Sequence, residues 1–304
     1  MNEEDMQQLF DIPGVGRVPP EQQGIYLELA QFIQDRLDGT GSEQDKFRPN
    51  LNFAHKLLEA AKRDLAASKA LSTDKANSIY HLQQSVEKIT KAYGLALGVV
   101  TRKEVERGVG HISPRLFIIM LHKRLFVSYA QLMKSFKPQL NTDTTKMEEL
   151  IETKRPELAR MNDKSIRQLL DLMDKIEESL NSEQSKKELE LHTNVAFDTF
   201  SKFEGADLAK LGALQKLFQN PTFFTRLIVS FLRLYLFSVV TYPHFAYTRY
   251  PGGEIEPDDY NDSLGIVKMA PEITVALERS IKNLEEYLEV RNAQNSIKEQ
   301  AHSH

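Results

Sequence analysis

Apolar residues return at every third or fourth position over most of the chain, and the runs that carry this period are separated by short clusters of helix breakers. From Leu51 the period holds over 51–71. It resumes over 75–98 after "STDK", and again over about 112–135 after "ERGVGHISP", where Ser113-Pro114 supplies a cap and a first-turn proline. In 75–98, Ile79, Leu82, Val86, Ile89, Tyr93 and Ala96 line up as one seam. Farther on, "NDKSIRQLLDLMDKIEESL" puts Ile166, Leu169, Leu170, Met173, Ile176 and Leu180 on one face. "LAKLGALQKLF" repeats the habit with Leu208, Leu211, Leu214 and Leu217. An apolar helix over 222–242 follows, then the turn-rich "TYPHFAYTRYPGGEIEPDDYNDS" and a last amphipathic helix from about Pro271 to Ser296. No alternation of β-branched residues is long enough for a strand. The pattern predicts an all-α protein, with one more helix at 22–38 inside a glycine- and proline-punctuated N-terminal extension, 1–50.

One stretch, "FFTRLIVSFLRLYLFSVV" from Phe223 to Val240, has the length of a membrane span. Arg226 and Arg233 fall inside it, and a central arginine costs about 2.5–3.5 kcal/mol on insertion scales. A buried helix with an arginine stripe is the expected outcome. The two arginines are seven apart, so they share a face and reach polar partners together.

The side of the 75–98 helix away from its seam is just as regular. At about 100° per residue, His81, Gln84, Lys88 and Lys91 average roughly 160° from the apolar line. Pattern alone allows a solvated face, and it equally allows a polar site with two lysines three residues apart.

Composition narrows the chemistry. With 304 residues, 41% of them apolar, the chain can fill a core of one large or two ordinary domains. Thirty-nine basic against 43 acidic residues leave a net charge of −4, so nucleic acid is not held by the field of the whole molecule and any such contact is a local patch. The absence of cysteine excludes disulfides and thiolate metal sites and fits a cytoplasmic location. The opening "MNEEDMQQLF" is acidic where an export signal needs a basic region, so no export is expected. "PGVGR" lacks the lysine-hydroxyl ending of a phosphate loop, and no Gly-x-Ser-x-Gly elbow occurs. Neither His-x-x-x-His nor His-Glu-x-x-His is present, and the acidic "GGEIEPDDYND" lacks calcium-loop spacing, so no metal and no cofactor are expected.

Taken together, "LLEAAKRDLAASKAL…DKANSIYHLQQSVEKITKAYGLALG…GHISPRL" resembles the HEPN family, the nucleotide-binding domain of higher eukaryotes and prokaryotes. The matching features are the Asp64-Leu65 step and the Gln84, Glu87, Lys88 core followed by Lys91-Ala92-Tyr93. The Gly110-His111 pair and, much later, Thr-Arg-Tyr-Pro at 248–251 complete the set. The resemblance covers 51–135 and 224–291. It implies an up-and-down helical bundle made of 51–135 and 224–296, interrupted by inserted helices over 136–223 that do not match the family. It further implies a homodimer without membrane association, with a polar groove for a nucleotide or single-stranded RNA. A nucleotidyltransferase partner, as in toxin–antitoxin pairs of the family, is also implied. The binding residues carried over or placed beside the motif are His81, Gln84, Lys88, Lys91, His111, Arg249 and Tyr250. For Arg249 an ion pair to a carboxylate such as Glu87 is the structural alternative.

Many members of this family are metal-independent ribonucleases that use an arginine and a histidine separated by four to six intervening residues, a pairing suited to acid–base work on a phosphodiester. Arg107 to His111 is one residue short of that pattern, whereas Arg115 to His122, "RLFIIMLH", fits by count. Its intervening residues are all apolar, where the nuclease pattern has a polar residue after the arginine. Arg115 and His122 are therefore the catalytic candidates of an alternative, toxin-like reading. A third reading is a protein-interaction module that works through the inserted helices.

Overall fold

The computed structural model describes residues 11–12, 16–17, 49–98, 100–120, 149, 151–180, 182–184, 187, 221–250, 252 and 255–301. The chain divides into two compact units. One comprises Arg48–Leu121, Asp143–Ile176 and Arg226–His304 and holds most of the described helices; the other comprises Met1–Phe47, His122–Thr142 and Glu177–Thr225. In the second unit Asp11–Ile12 and Gly16–Arg17 pair as a two-residue antiparallel ladder. The helices expected at 22–38 and 208–217, and the third helix beyond Met120, lie outside the described residues.

Within the first unit the described chain is all-α. Helix α1 (Leu51–Ala70) starts where the Asn50 side chain accepts the Phe53 N–H at 3.0 Å. Helix α2 (Lys75–Ala96) starts where Asp74 accepts the Asn77 N–H at 3.2 Å. The four residues between them force an antiparallel hairpin, and its register can be followed end to end. The Ser78 hydroxyl donates to the Ser68 carbonyl (2.8 Å), the Ser85 hydroxyl to the Ala61 carbonyl (2.9 Å), and the Asn50 N–H to the Leu95 carbonyl (2.9 Å). Between these contacts Ala54, Leu58, Ala61 and Leu65 meet the α2 seam, every member of which is buried. Each large aliphatic side chain removed from water there contributes about 1.5–3 kcal/mol.

A π-helical turn (Glu104–Val109) leads into α3 (Pro114–Met120). The later elements are α4 (Arg155–Ala159), α5 (Asp163–Leu180), α6 (Pro221–Thr241), α7 (His244–Tyr247), a 3-10 turn (Pro257–Asp259) and α8 (Gly265–Ala301). Helix α8 runs antiparallel to α1, since Lys69 meets Glu278 and Lys62 meets Glu285. It also runs antiparallel to α6, where Asn283 donates to the Ser230 hydroxyl at 2.8 Å and Arg226 meets Glu286 at 3.4 Å. Helices α1, α2, α6 and α8 thus alternate in direction around a shared core. The polar atoms inside it are matched: Thr90 with Ser238 at 3.2 Å, and the buried Tyr93 hydroxyl donating to the Ser280 carbonyl at 3.0 Å.

Two sequence expectations meet their test here. No helix among the described residues is long and apolar enough to cross a membrane. The arginine stripe of α6 is tied down instead, Arg226 by Glu286 and the almost wholly buried Arg233 by Asp174 at 2.7 Å. The last helix, expected from Pro271, begins at Gly265, so the proline sits inside it. Proline favours a first turn because it lacks an N–H, but Ile266, Val267 and Met269 are all buried, and that burial extends the helix past the missing donor. Gly265 permits the start. A methyl group there would overlap the Met161 carbonyl and come within 2.6 Å of backbone atoms of Asn162 and Asp163, so the end of α8 rests directly on the start of α5.

Candidate functional site

The polar row of α2 is partly exposed, and carboxylates hold its charged members. His81 and Lys88 are two turns apart on one face, and both reach Asp64 on α1. His81 Nδ1 lies 3.3 Å from Oδ1, and Lys88 Nζ donates to Oδ2. The antiparallel hairpin brings Asp64 opposite them, and the Asp64 side chain keeps only 15% of its exposure.

One turn along, the buried Glu87 gathers a second set. Lys91 Nζ donates to its Oε1 at 2.6 Å, while Gln83 Nε2 donates to Oε2 and His111 Nδ1 faces the same oxygen, each at 3.3 Å. Lys91 also donates to the Gly110 carbonyl. Gly110 has φ +53°, a left-handed conformation that glycine adopts without steric cost, and it turns the chain so that His111 points back at α2. Gln84 donates to the Gln83 side-chain oxygen at 2.7 Å and closes the row. His111 remains 64% exposed on its side chain and stacks on Phe245, centroids 5.5 Å apart and planes 16° from parallel. With Nδ1 beside a buried carboxylate, Nε2 is the ring nitrogen left to hydrogen-bond a ligand.

The Thr-Arg-Tyr segment lies at the end of the bundle. Its approach is anchored by His244, wholly buried with Nδ1 2.7 Å from the Tyr260 hydroxyl, and by the Thr248 hydroxyl donating to the His244 carbonyl at 2.7 Å. Burial, helped by the positive charge of Arg155, lowers the His244 pKa from 6.5 to about 3, so the ring is neutral. Arg249 does not pair with Glu87, whose oxygens are taken by Lys91, Gln83 and His111. Its guanidinium lies over the rings of Tyr80 (5.2 Å) and Tyr250 (5.3 Å), with a long 3.4 Å hydrogen bond to the Tyr80 hydroxyl. Tyr250 is 58% exposed, and Tyr80 meets His81 edge-on at 5.3 Å.

The seven candidate binding residues therefore fall into two connected groups on one unit. Three partners escaped sequence reasoning. Asp64 sits in a quoted motif, yet its role appears only once the hairpin is folded about residues 71–74. Phe245 and Arg155 belong to a stack with no sequence period. The catalytic alternative is not assembled among the described residues: Arg115 sits half-buried on α3, close enough to act electrostatically on Tyr242, and His122 lies outside them. Among the described residues no group of three or more histidine or acidic side chains is placed to hold a metal ion. No family model, curated protein or solved structure matches the chain.

Proposed function

We propose that this bundle binds a nucleotide, free or at the end of a single-stranded RNA, on the face formed by Tyr80, Arg249 and Tyr250, with the polar row of α2 beside it. The observation that carries this reading is the state of Arg249. It pairs with no carboxylate among the described residues and lies over two rings, one of them largely exposed. A guanidinium plane and an open tyrosine face are the groups on which a base stacks, each such contact contributing about 1–3 kcal/mol, and the same guanidinium can meet a phosphate. The resemblance of 248–251 to the Arg-Tyr-Pro class of HEPN proteins supports the same assignment.

The α2 row plays a different part from the one its sequence suggests. Lys88 and Lys91 are neutralised by Asp64 and Glu87, so the row orders the wall of the site instead of offering two free charges. His111, with Nδ1 beside Glu87 and Nε2 left over, is the row's neighbour best able to hydrogen-bond a ligand. The test is calorimetric titration of nucleoside triphosphates and a short single-stranded RNA into wild type, Arg249→Ala, Tyr250→Ala and Lys88→Ala/Arg249→Ala. Saturable binding weakened at least tenfold by Arg249→Ala is expected, with most of that loss already present in the single variant. No saturable heat from any ligand with the wild type removes the reading.

A further inference from the structure

Arg155, in the segment with no likeness to the HEPN motifs, lies in a box of three rings. Its guanidinium carbon is 5.3 Å from the centroid of Tyr242, 5.4 Å from Phe245 and 5.1 Å from Tyr247. An arginine nitrogen closed off from water normally donates to a carboxylate or a backbone carbonyl. Arg155 makes no such bond among the described residues. Its Nε is closed off from water without a hydrogen-bond partner, and Glu152, three residues before it, accepts the Tyr242 hydroxyl at 2.8 Å instead. The rings compensate part of the desolvation, each cation–π contact being worth about 0.5–2 kcal/mol, but they satisfy no N–H.

We propose that Arg155 is an anion-binding residue that takes a phosphate oxyanion on the donors its aromatic box leaves unbonded. The rings hold the guanidinium plane in one orientation, so little side-chain freedom is lost when a forked pair of N–H···O bonds forms. Glu152, held on the Tyr242 hydroxyl, repels any incoming anion, and phosphate is favoured over a carboxylate because it can meet the guanidinium fork with two oxygens while its others face water. This site is independent of the stacking face at Arg249, because inorganic phosphate has no base to stack.

The experiment is titration of inorganic phosphate, pyrophosphate, adenosine monophosphate, sulfate and acetate at fixed ionic strength. The chain has no tryptophan, so binding is read by tyrosine fluorescence together with calorimetry. The proteins are the full chain, Arg155→Met, Arg155→Lys and, as a charge control, Lys154→Ala, which removes an exposed cation paired with Glu157 next to the site. Saturable pyrophosphate binding, at least tenfold weaker in Arg155→Met, several-fold weaker in Arg155→Lys and within about twofold of wild type in Lys154→Ala, is expected. Equal affinity for adenosine monophosphate and phosphate identifies a free-phosphate site; tighter monophosphate binding identifies a nucleotide's phosphate, and both support the assignment. Circular dichroism checks that each variant folds, and Arg155→Lys carries the test if Arg155→Met does not. The proposal is overturned by no saturable binding to the wild type, by unchanged affinity in the arginine variants, or by a loss in Lys154→Ala as large as theirs.

Discussion

Lys88 of α2 donates to Asp64 of α1, and the contact joins the two arms of the hairpin within the polar row. The same carboxylate faces His81, so removing its charge acts on both groups. In Asp64→Asn the amide keeps the volume but leaves Lys88, 28% exposed, to turn toward water. A destabilisation of about 1–2 kcal/mol is expected in urea unfolding, at the lower end for a pair that is not fully buried. Because the variant also releases a cation beside the stacking face, its affinity for nucleoside triphosphates should rise several-fold. Stability and binding moving in opposite directions separates a site from a purely structural pair, which predicts no change in binding.

Glu87 is the more deeply placed carboxylate, and it is the partner of Lys91, Gln83 and His111 at once. Replacing it with alanine leaves Lys91, only 11% exposed, as a charge without its partner. Breaking a buried pair in this way costs about 3–5 kcal/mol. Glu87→Ala should therefore lower the urea midpoint far more than Asp64→Asn does. Equal midpoint shifts would show that the two carboxylates are equally solvated in solution.

Much of the bundle is legible in the sequence because its causes are local. The seam from Ile79 to Ala96 needs only the helical period, and the break between α1 and α2 follows from "STDK". Arg226 and Arg233 could be read as an anchored stripe because seven residues set them on one face. Helix α8 starts six residues before the proline that marks its expected start, because the burial of Ile266, Val267 and Met269 outweighs the proline's missing donor in the folded chain. The site was legible as a set of residues and not as a set of pairs. Asp64 and Lys88 are separated by 24 positions and Arg249 and Tyr80 by 169, distances at which helical periodicity carries no information. Neutralisation of the lysines, the feature that moves the proposed anion contact to Arg249, is a property of those pairings.

Gly265 offers a sharper test of packing than any charged residue. A β-carbon at this position meets backbone atoms of Met161, Asn162 and Asp163, none of which can rotate away. Alanine raises helix propensity, so an exposed glycine-to-alanine change would stabilise the helix by about 1 kcal/mol. Here the clash should prevail and Gly265→Ala should destabilise by about 1–3 kcal/mol, the cost of overpacking. Chemical denaturation decides between the two signs.

His244 makes stability depend on pH with a predictable sign. Its ring is buried against Tyr260, with Arg155 the nearby positive charge, and the folded-state pKa is lowered from 6.5 to about 3. Between those values the unfolded chain binds a proton that the folded protein does not. The stability this group contributes is therefore complete above about pH 6.5 and is lost as pH falls toward 3, at about 1.4 kcal/mol per pH unit. His244→Phe removes the titration but leaves the buried Tyr260 hydroxyl without its partner, which costs about 1–3 kcal/mol at pH 8. At pH 5 the wild type has lost roughly 2 kcal/mol that the variant never had. The gap between the two urea-unfolding free energies should narrow by that amount from pH 8 to pH 5. A gap that stays constant would mean that His244 gains its proton in the folded state as easily as in the unfolded one, and that the loop ahead of Arg249 opens to water.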